Sequence, residues 1–170
     1  MENKKIITIY LDTNVFLKFF IEKGEKKVEI AQRLDSFAKE NKIKLAISDW
    51  VINETMAVIE RKITENRIDK QEGFHILNKI IYLIEEEFVI LYPIKRDHIQ
   101  SSRAIIQDLR MSNASDALHV ITVFLSNCNY FISADNDLMS ILKTNSSKLD
   151  FVPISFYDKD DINKLFSEIL

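Results

Sequence analysis

Five short apolar runs, separated by longer stretches of helical periodicity, constrain this chain more than any other feature. The runs are Ile6–Leu11, Ile43–Ile47, Phe88–Tyr92, Tyr130–Ser133 and Leu149–Ser155. Each is short and mostly aliphatic or aromatic, and reads as a buried strand. Pro153 places the last at a sheet edge, because proline cannot donate to an inner ladder. Between the runs, apolar residues recur at helical spacing. Thr13 to about Phe20 starts a first helix, and Lys26–Asn41 continues with Val28, Ile30, Ala31, Leu34, Phe37 and Ala38 as a core-facing stripe. Ser48 or Asp49 caps a helix running to about Lys62. Asp69–Glu87 carries Phe74, Leu77, Ile80, Ile81 and Ile84 on one face, and Arg96–Leu109, Ser115–Ser126, Asp135–Lys143 and Asp160–Leu170 complete the helices.

Strands alternating with helices require right-handed crossovers and a parallel sheet covered on both faces. The chain has only two glycines and two prolines, and no linker or repeat breaks it. The expectation is one α/β domain over residues 1–170, with a five-stranded parallel sheet sandwiched between helices. In such sheets functional groups gather beyond the carboxyl ends of the strands. Candidate site residues should therefore follow strands directly.

Four acidic residues meet or approach that condition. Asp12 ends the first strand, and Asp135 follows the fourth. Glu54 lies on the helix after the second strand, and Asp116 opens a strongly apolar helix. Each has a plainer reading. Asp12 and Asp135 (or Asp137) can be helix caps, Asp116 a first-turn carboxylate on the helix dipole, and Glu54 a solvated charge. Ile52, Met56, Ala57, Val58 and Ile59 around Glu54 suggest an apolar environment for it. Four accidents pointing to one end of one sheet are harder to accept than one site. Clustered carboxylates repel unless a cation joins them. Oxygen ligands favour Mg²⁺ or Mn²⁺ over zinc, and such an ion can activate water against a phosphodiester.

At these residues the sequence resembles the PIN-domain family, including the VapC-like toxin ribonucleases. The carriers are Ile9-Tyr10-Leu11-Asp12-Thr13-Asn14-Val15-Phe16, Ser48 to Glu54, Ser115-Asp116-Ala117-Leu118-His119, and Tyr130 through Leu138 with Ser133, Asp135 and Asp137 inside it. The ordered set spans about Ile6 to Pro153. The resemblance implies a divalent-metal-dependent ribonuclease whose metal-binding carboxylates are Asp12, Glu54, Asp116 and Asp135. It implies support by hydrogen bonds from Thr13, Asn14 and Ser133, with Asp137 an extra ligand through water or a substitute for Asp135. It also implies a homodimer. Whether the protein is a toxin with a small antitoxin partner or an RNA-processing nuclease stays open. The chain is longer than a minimal member, and a helical insertion is expected at about 61–87, as an arm over the site or a partner groove.

Other residues receive plainer expectations. His119 shares a helix face with Asp116 and is expected as a core histidine bonded to backbone. Cys128 is expected to be a buried small hydrophobe, and Trp50 and Phe16 to be core. Lys18, Arg61, Lys62, Arg67, Arg96, Arg103 and Arg110 are candidate phosphate contacts, most of them expected to be simply solvated. Arg110 is the one to watch, since it precedes the Asp116 motif. Ile162, Leu165, Phe166, Ile169 and Leu170 can pack on the domain or on a partner.

Several classes are excluded or weakened. One cysteine rules out an internal disulfide framework and Cys₂His₂ or Cys₄ zinc sites. Gly24 and Gly73, the only glycines, cannot build a dinucleotide or Walker loop. A phosphoaspartate receiver needs an acidic pair and a lysine that are not evident. The net charge of -3 neither supports nor excludes a nucleic-acid substrate, because a bound metal supplies positive charge locally. No apolar run is long enough to span a membrane and no signal-peptide pattern leads the chain, so a cytoplasmic protein is expected. The serious alternative to catalysis is a non-catalytic PIN-like module that binds RNA or a protein.

Overall fold

The computed structural model describes residues 6–19 and 25–170, without the side chains of 19 and 25–28. The expected helix end at Phe20 and the side chain of Val28 lie outside the described residues. The strands are β1 (Ile7–Leu11), β2 (Ile43–Ser48), β3 (Val89–Tyr92), β4 (Tyr130–Ser133) and β5 (Val152–Ser155). The α-helices are α1 (Thr13–Phe16), α2 (Glu25–Lys39), α3 (Asp49–Thr64), α4 (Lys70–Glu85), α5 (Arg96–Leu109), α6 (Ala114–Leu125), α7 (Asn136–Thr144) and α8 (Lys159–Ile169).

All four strand pairings are parallel, in the order β3-β2-β1-β4-β5. β1 lies in the middle. The chain leaves it to build β2 and β3 on one side, then crosses through α5 and α6 to build β4 and β5 on the other. The order therefore reverses between β1 and β4, where a crevice opens at their carboxyl ends. Asp12 sits at that point, and its N–H donates to Ile132 O at 3.0 Å, extending the β1–β4 ladder by one bond.

The core forms where the sequence pattern places it. Tyr10, Phe16 and Phe131 are buried, with Tyr10 and Phe131 edge to face at 5.7 Å. Leu34 and Phe37 of α2 face inward, and Phe37 meets Phe166 of α8 at 5.7 Å. Ile162, Leu165, Phe166 and Ile169 are all buried, so the terminal helix packs on its own domain. β5 is an edge strand, as Pro153 requires.

α3 and α4 form a helical hairpin, and α4 also contacts β3. Gly73 lets the pair approach closely, since a Cβ there would lie 2.7 Å from Ile63 Cδ1. Leu77 and Ile80 face inward as expected, whereas Phe74 and Ile81 are exposed. The single apolar face read for this helix is split. Its inner stripe runs through Gly73, Ile76 and Ile80 instead.

Candidate active site

Asp12 is 6% exposed and caps α1. Its carboxylate accepts from the Thr13 N–H at 2.6 Å, from Asn14 Nδ2 at 2.8 Å and from Ser133 Oγ at 2.5 Å. The Asn14 Oδ1 accepts from the Ala134 N–H at 2.9 Å, so one side chain ties the loop after β1 to the loop after β4. The Ser133 Oγ also accepts from the Asp135 N–H at 3.0 Å. Asp135 caps α7, and its Oδ1 accepts from the N–H groups of Asp137 and Leu138, both at 2.9 Å. Asp12 and Asp135 are thus helix caps and cleft residues at once. The capping role takes neither residue out of the cleft.

Glu54 reaches the same place from α3. Its Oε1 accepts from Ser115 Oγ and from Trp50 Nε1 at 3.0 Å, and its Oε2 accepts from Thr13 Oγ1. His119 Nε2 lies 3.1 Å from the same Oε2 and 3.5 Å from Asp12 Oδ1. The carboxylate of Glu54 is met by polar groups, which corrects the wholly apolar expectation, although Ala57 and Val58 line the cleft beside it. Residues one or two positions away on a helix face other directions. Ile59 points to the core and Met56 to solvent. Burial pushes the Glu54 carboxyl up, but hydrogen bonds from His119, Ser115 and Thr13 outweigh it and bring it down to about 2.

His119 is buried, and it bonds to side chains rather than to backbone as expected. Its Nδ1 is 3.1 Å from the Tyr10 hydroxyl, which is 2.7 Å from Ser48 Oγ. Burial pulls the imidazole pKa down, but the Glu54 hydrogen bond and the charges of Asp12, Glu54 and Asp116 more than reverse that. Asp116 shows the opposite balance to Glu54. Burial, and then repulsion from Asp12 and Asp135, raise its carboxyl to about 6, with His119 offsetting part of the rise.

Asp12, Thr13, Asn14, Glu54, Asp116 and Asp135 line one cleft of about 580 Å³. Ser133 supports it from beneath. Asp137 is exposed and outside the lining. Trp50 was expected in the core. It is only half-buried, and its indole N–H, 2.7 Å from Ser115 Oγ, serves the Glu54 carboxylate. Arg110 is also outside the cleft: it ends α5 with left-handed backbone at φ 55°. Among the described residues, Lys18, Arg61 and Lys62 are the lysine and arginine side chains in the lining. Within the region expected as an insertion, the lining stops at Lys62.

The donor set fits a hard divalent cation. Ligand atoms of Asp12, Glu54 and His119 lie within 4.8 Å of one another, and Asp116 carries repulsion that a cation would relieve. The four acceptor positions of Glu54 are all occupied by protein donors. Asp135 Oδ2 is left over from the capping bonds, and Asp116 makes none of the bonds that hold Asp12 and Glu54.

A family model described as PIN domain matches residues 9–142. This chain belongs to the PIN domain family. No curated protein matches its sequence. Solved structures share the PIN-domain fold at low identity. VapBC2 from Rickettsia felis, bound to a DNA fragment from its promoter, aligns with a TM-score of 0.60 at 13% identity over 88% of this chain and 98% of that one. The sarcin–ricin-loop-cleaving toxin VapC20 of Mycobacterium tuberculosis gives 0.57 at 16% identity, over 85% and 99%. PAE2754 of Pyrobaculum aerophilum gives 0.60 at 12%, over 96% and 89%. Among the described residues of this PIN domain, no helix is long and apolar enough to cross a membrane.

Proposed function

We propose that this PIN domain is a ribonuclease that depends on Mg²⁺ or Mn²⁺ and hydrolyses RNA phosphodiester bonds. The observation that carries the reading is the convergence of Asp12, Glu54, Asp116 and Asp135 on one cleft, with Asp116 raised to about 6 by burial first and by the charges of Asp12 and Asp135 next. A non-catalytic module that kept the carboxylates only for metal-linked stability would bind the ion without cutting RNA, so cleavage with and without EDTA separates the two readings.

Asp12, Asp116 and Asp135 would hold the ion, with Glu54 joining them by giving up one of its four bonds and Asp137 reaching the ion only through water. When bound, the ion would activate a water and stabilise charge on the phosphoryl oxygens. Glu54 is oriented by Trp50, Ser115, Thr13 and His119, and can accept a proton from a water on the cleft side only by giving up one of those bonds. Thr13, Asn14 and Ser133 fix the Asp12 carboxylate. The purified protein should cut RNA with Mn²⁺ or Mg²⁺ and leave 5′-phosphate and 3′-hydroxyl ends. Cleavage persisting in EDTA, or cyclic phosphate ends, would overturn the proposal.

Metal binding should weaken in acid. A cation lowers the Asp116 pKa, so binding near pH 6 should release close to half a proton from that group. Mn²⁺ affinity should be level above about pH 7 and fall below pH 6, by up to about tenfold per unit. Calorimetry in two buffers of different ionisation enthalpy measures both quantities. Affinity that is flat from pH 5 to 8 would remove Asp116 from the site.

We further propose that the protein is the toxin of a toxin–antitoxin pair in the cytoplasm and that it forms a homodimer. The fold shared with the Mycobacterium tuberculosis toxin supports the first. Exposed Phe74, Ile81 and Tyr82 on α4 supply an apolar face for the second, since the terminal helix is spent on its own domain. Expression alone should stop growth, and co-expression of a small adjacent gene should relieve it. Light scattering should give twice the chain mass at tens of micromolar (about the range where weak dimers form).

A further inference from the structure

The cleft has two chemically different ends. Glu54, Ala57, Val58, Arg61 and Lys62 recur at three- and four-residue intervals on α3, so one helix face runs from the carboxylates to a basic end. Seven residues at 1.5 Å each put Arg61 about 10 Å from Glu54 along the axis. Arg61 thus stands about two turns beyond Glu54 on the same face, where a neighbouring phosphate of the same strand can reach it. Lys18, the third basic lining residue, is buried, and its Nζ lies 5.7 and 5.4 Å from the ring centroids of Phe156 and Tyr157, so it is already engaged. Arg61 is exposed and Lys62 half-buried.

We infer that Arg61 and Lys62 form a second phosphate subsite, which binds the RNA backbone beside the scissile bond and makes this PIN domain prefer strands over single diesters. The inference rests on the nuclease reading. The plain alternative is that both residues only favour the C-terminal end of the α3 dipole. That role would affect helix stability and leave substrate length and salt dependence untouched.

The test measures binding of a short fluorescent RNA oligonucleotide and of a dinucleoside monophosphate in Ca²⁺, across a salt series. Wild type should bind the oligonucleotide at least tenfold more tightly. Arg61→Gln/Lys62→Gln should lose that preference, and its slope of log affinity against log salt should fall by about 1.4, two contacts at about 0.7 each. Arg96→Gln/Arg103→Gln, which removes equal charge from exposed α5 positions, should keep both. Circular dichroism and melting establish that each variant is folded. A folded cleft variant that retains the length preference and the slope overturns the subsite alone. Wild type that neither binds nor cuts RNA overturns the nuclease reading and the subsite with it.

Discussion

Asp12→Asn should melt below wild type, while Asp116→Asn should melt at or above it, although both should abolish metal-dependent cleavage. The two aspartates face the same cleft under opposite conditions. Asp12 accepts from the Thr13 N–H, Asn14 Nδ2 and Ser133 Oγ while buried. An amide there must turn an NH₂ toward one of these donors, which costs about 1–3 kcal/mol. Asp116 is held at about 6 against an ordinary value of 3.8. The folded state therefore binds this proton more tightly than the unfolded state. Its ionisation costs stability as pH rises from about 4 to about 6, and the cost is constant above that. Two units amount to about 3 kcal/mol, reduced to about 1–2 because the group is half exposed. Asp116→Asn should recover that amount at pH 7, a rise of roughly 2–8 °C, and should lose the advantage by pH 4. Wild type should gain about 2.7 kcal/mol at Mn²⁺ a hundredfold above its Kd. Both variants should lose most of that gain, with activity down about 100-fold or more. Equal destabilisation by the two substitutions would mean that the repulsion is not stored on Asp116. A full Mn²⁺ shift in either would mean that the ion sits elsewhere.

Glu54→Gln should be the most destabilising single change in the cleft. Its carboxylate is met by Thr13, Ser115, Trp50 and His119, and its pKa is lowered to about 2. The stability it contributes is present above about pH 4.5 and lost as pH falls through about 2. A glutamine puts an NH₂ among four donors and takes the partner from a buried imidazole. The cost should be about 2–4 kcal/mol, or roughly 5–15 °C in Tm. The His119 pKa should fall as well. The Glu54 bond and charge are two of the influences that hold it up, and burial opposes them. Melting curves and an NMR titration of His119 check the two halves independently. A stable Glu54→Gln variant with an unmoved His119 titration would contradict the geometry described above.

The sheet was legible because a buried parallel strand announces itself locally. Ile-Thr-Ile-Tyr-Leu and Tyr-Phe-Ile-Ser need no distant information to be read as strands, and Pro153 alone marks an edge. The cleft positions of Asp12, Asp116 and Asp135 were legible for the same reason, as each stands beside a strand end or a helix start, whereas Glu54 is the sixth residue of α3 and was read from its motif. Their surroundings were not. Ser133 reaches Asp12 across 121 positions, His119 reaches Tyr10 across 109, and Ser115 reaches Glu54 across 61. Such bonds leave no periodic trace. His119 was therefore read as backbone-bonded, Trp50 as core and Glu54 as lying among apolar neighbours. One signal was available: Trp50 and Glu54 are four apart, as are Ser115 and His119, so each pair shares a helix face. Arg110 misled by adjacency, since its left-handed backbone closes a helix and turns the chain toward α6.

The tie between the loops after β1 and β4 also sets a timetable. Ser133, which donates to the Asp12 carboxylate, is synthesised 121 residues after it. At about 5–20 residues per second, roughly 6–25 s pass before the two can meet. During that interval β1 can pair with β2, but the crevice between β1 and β4 has only one wall. A nascent chain therefore carries an incomplete cleft until the stretch through β4 has been made.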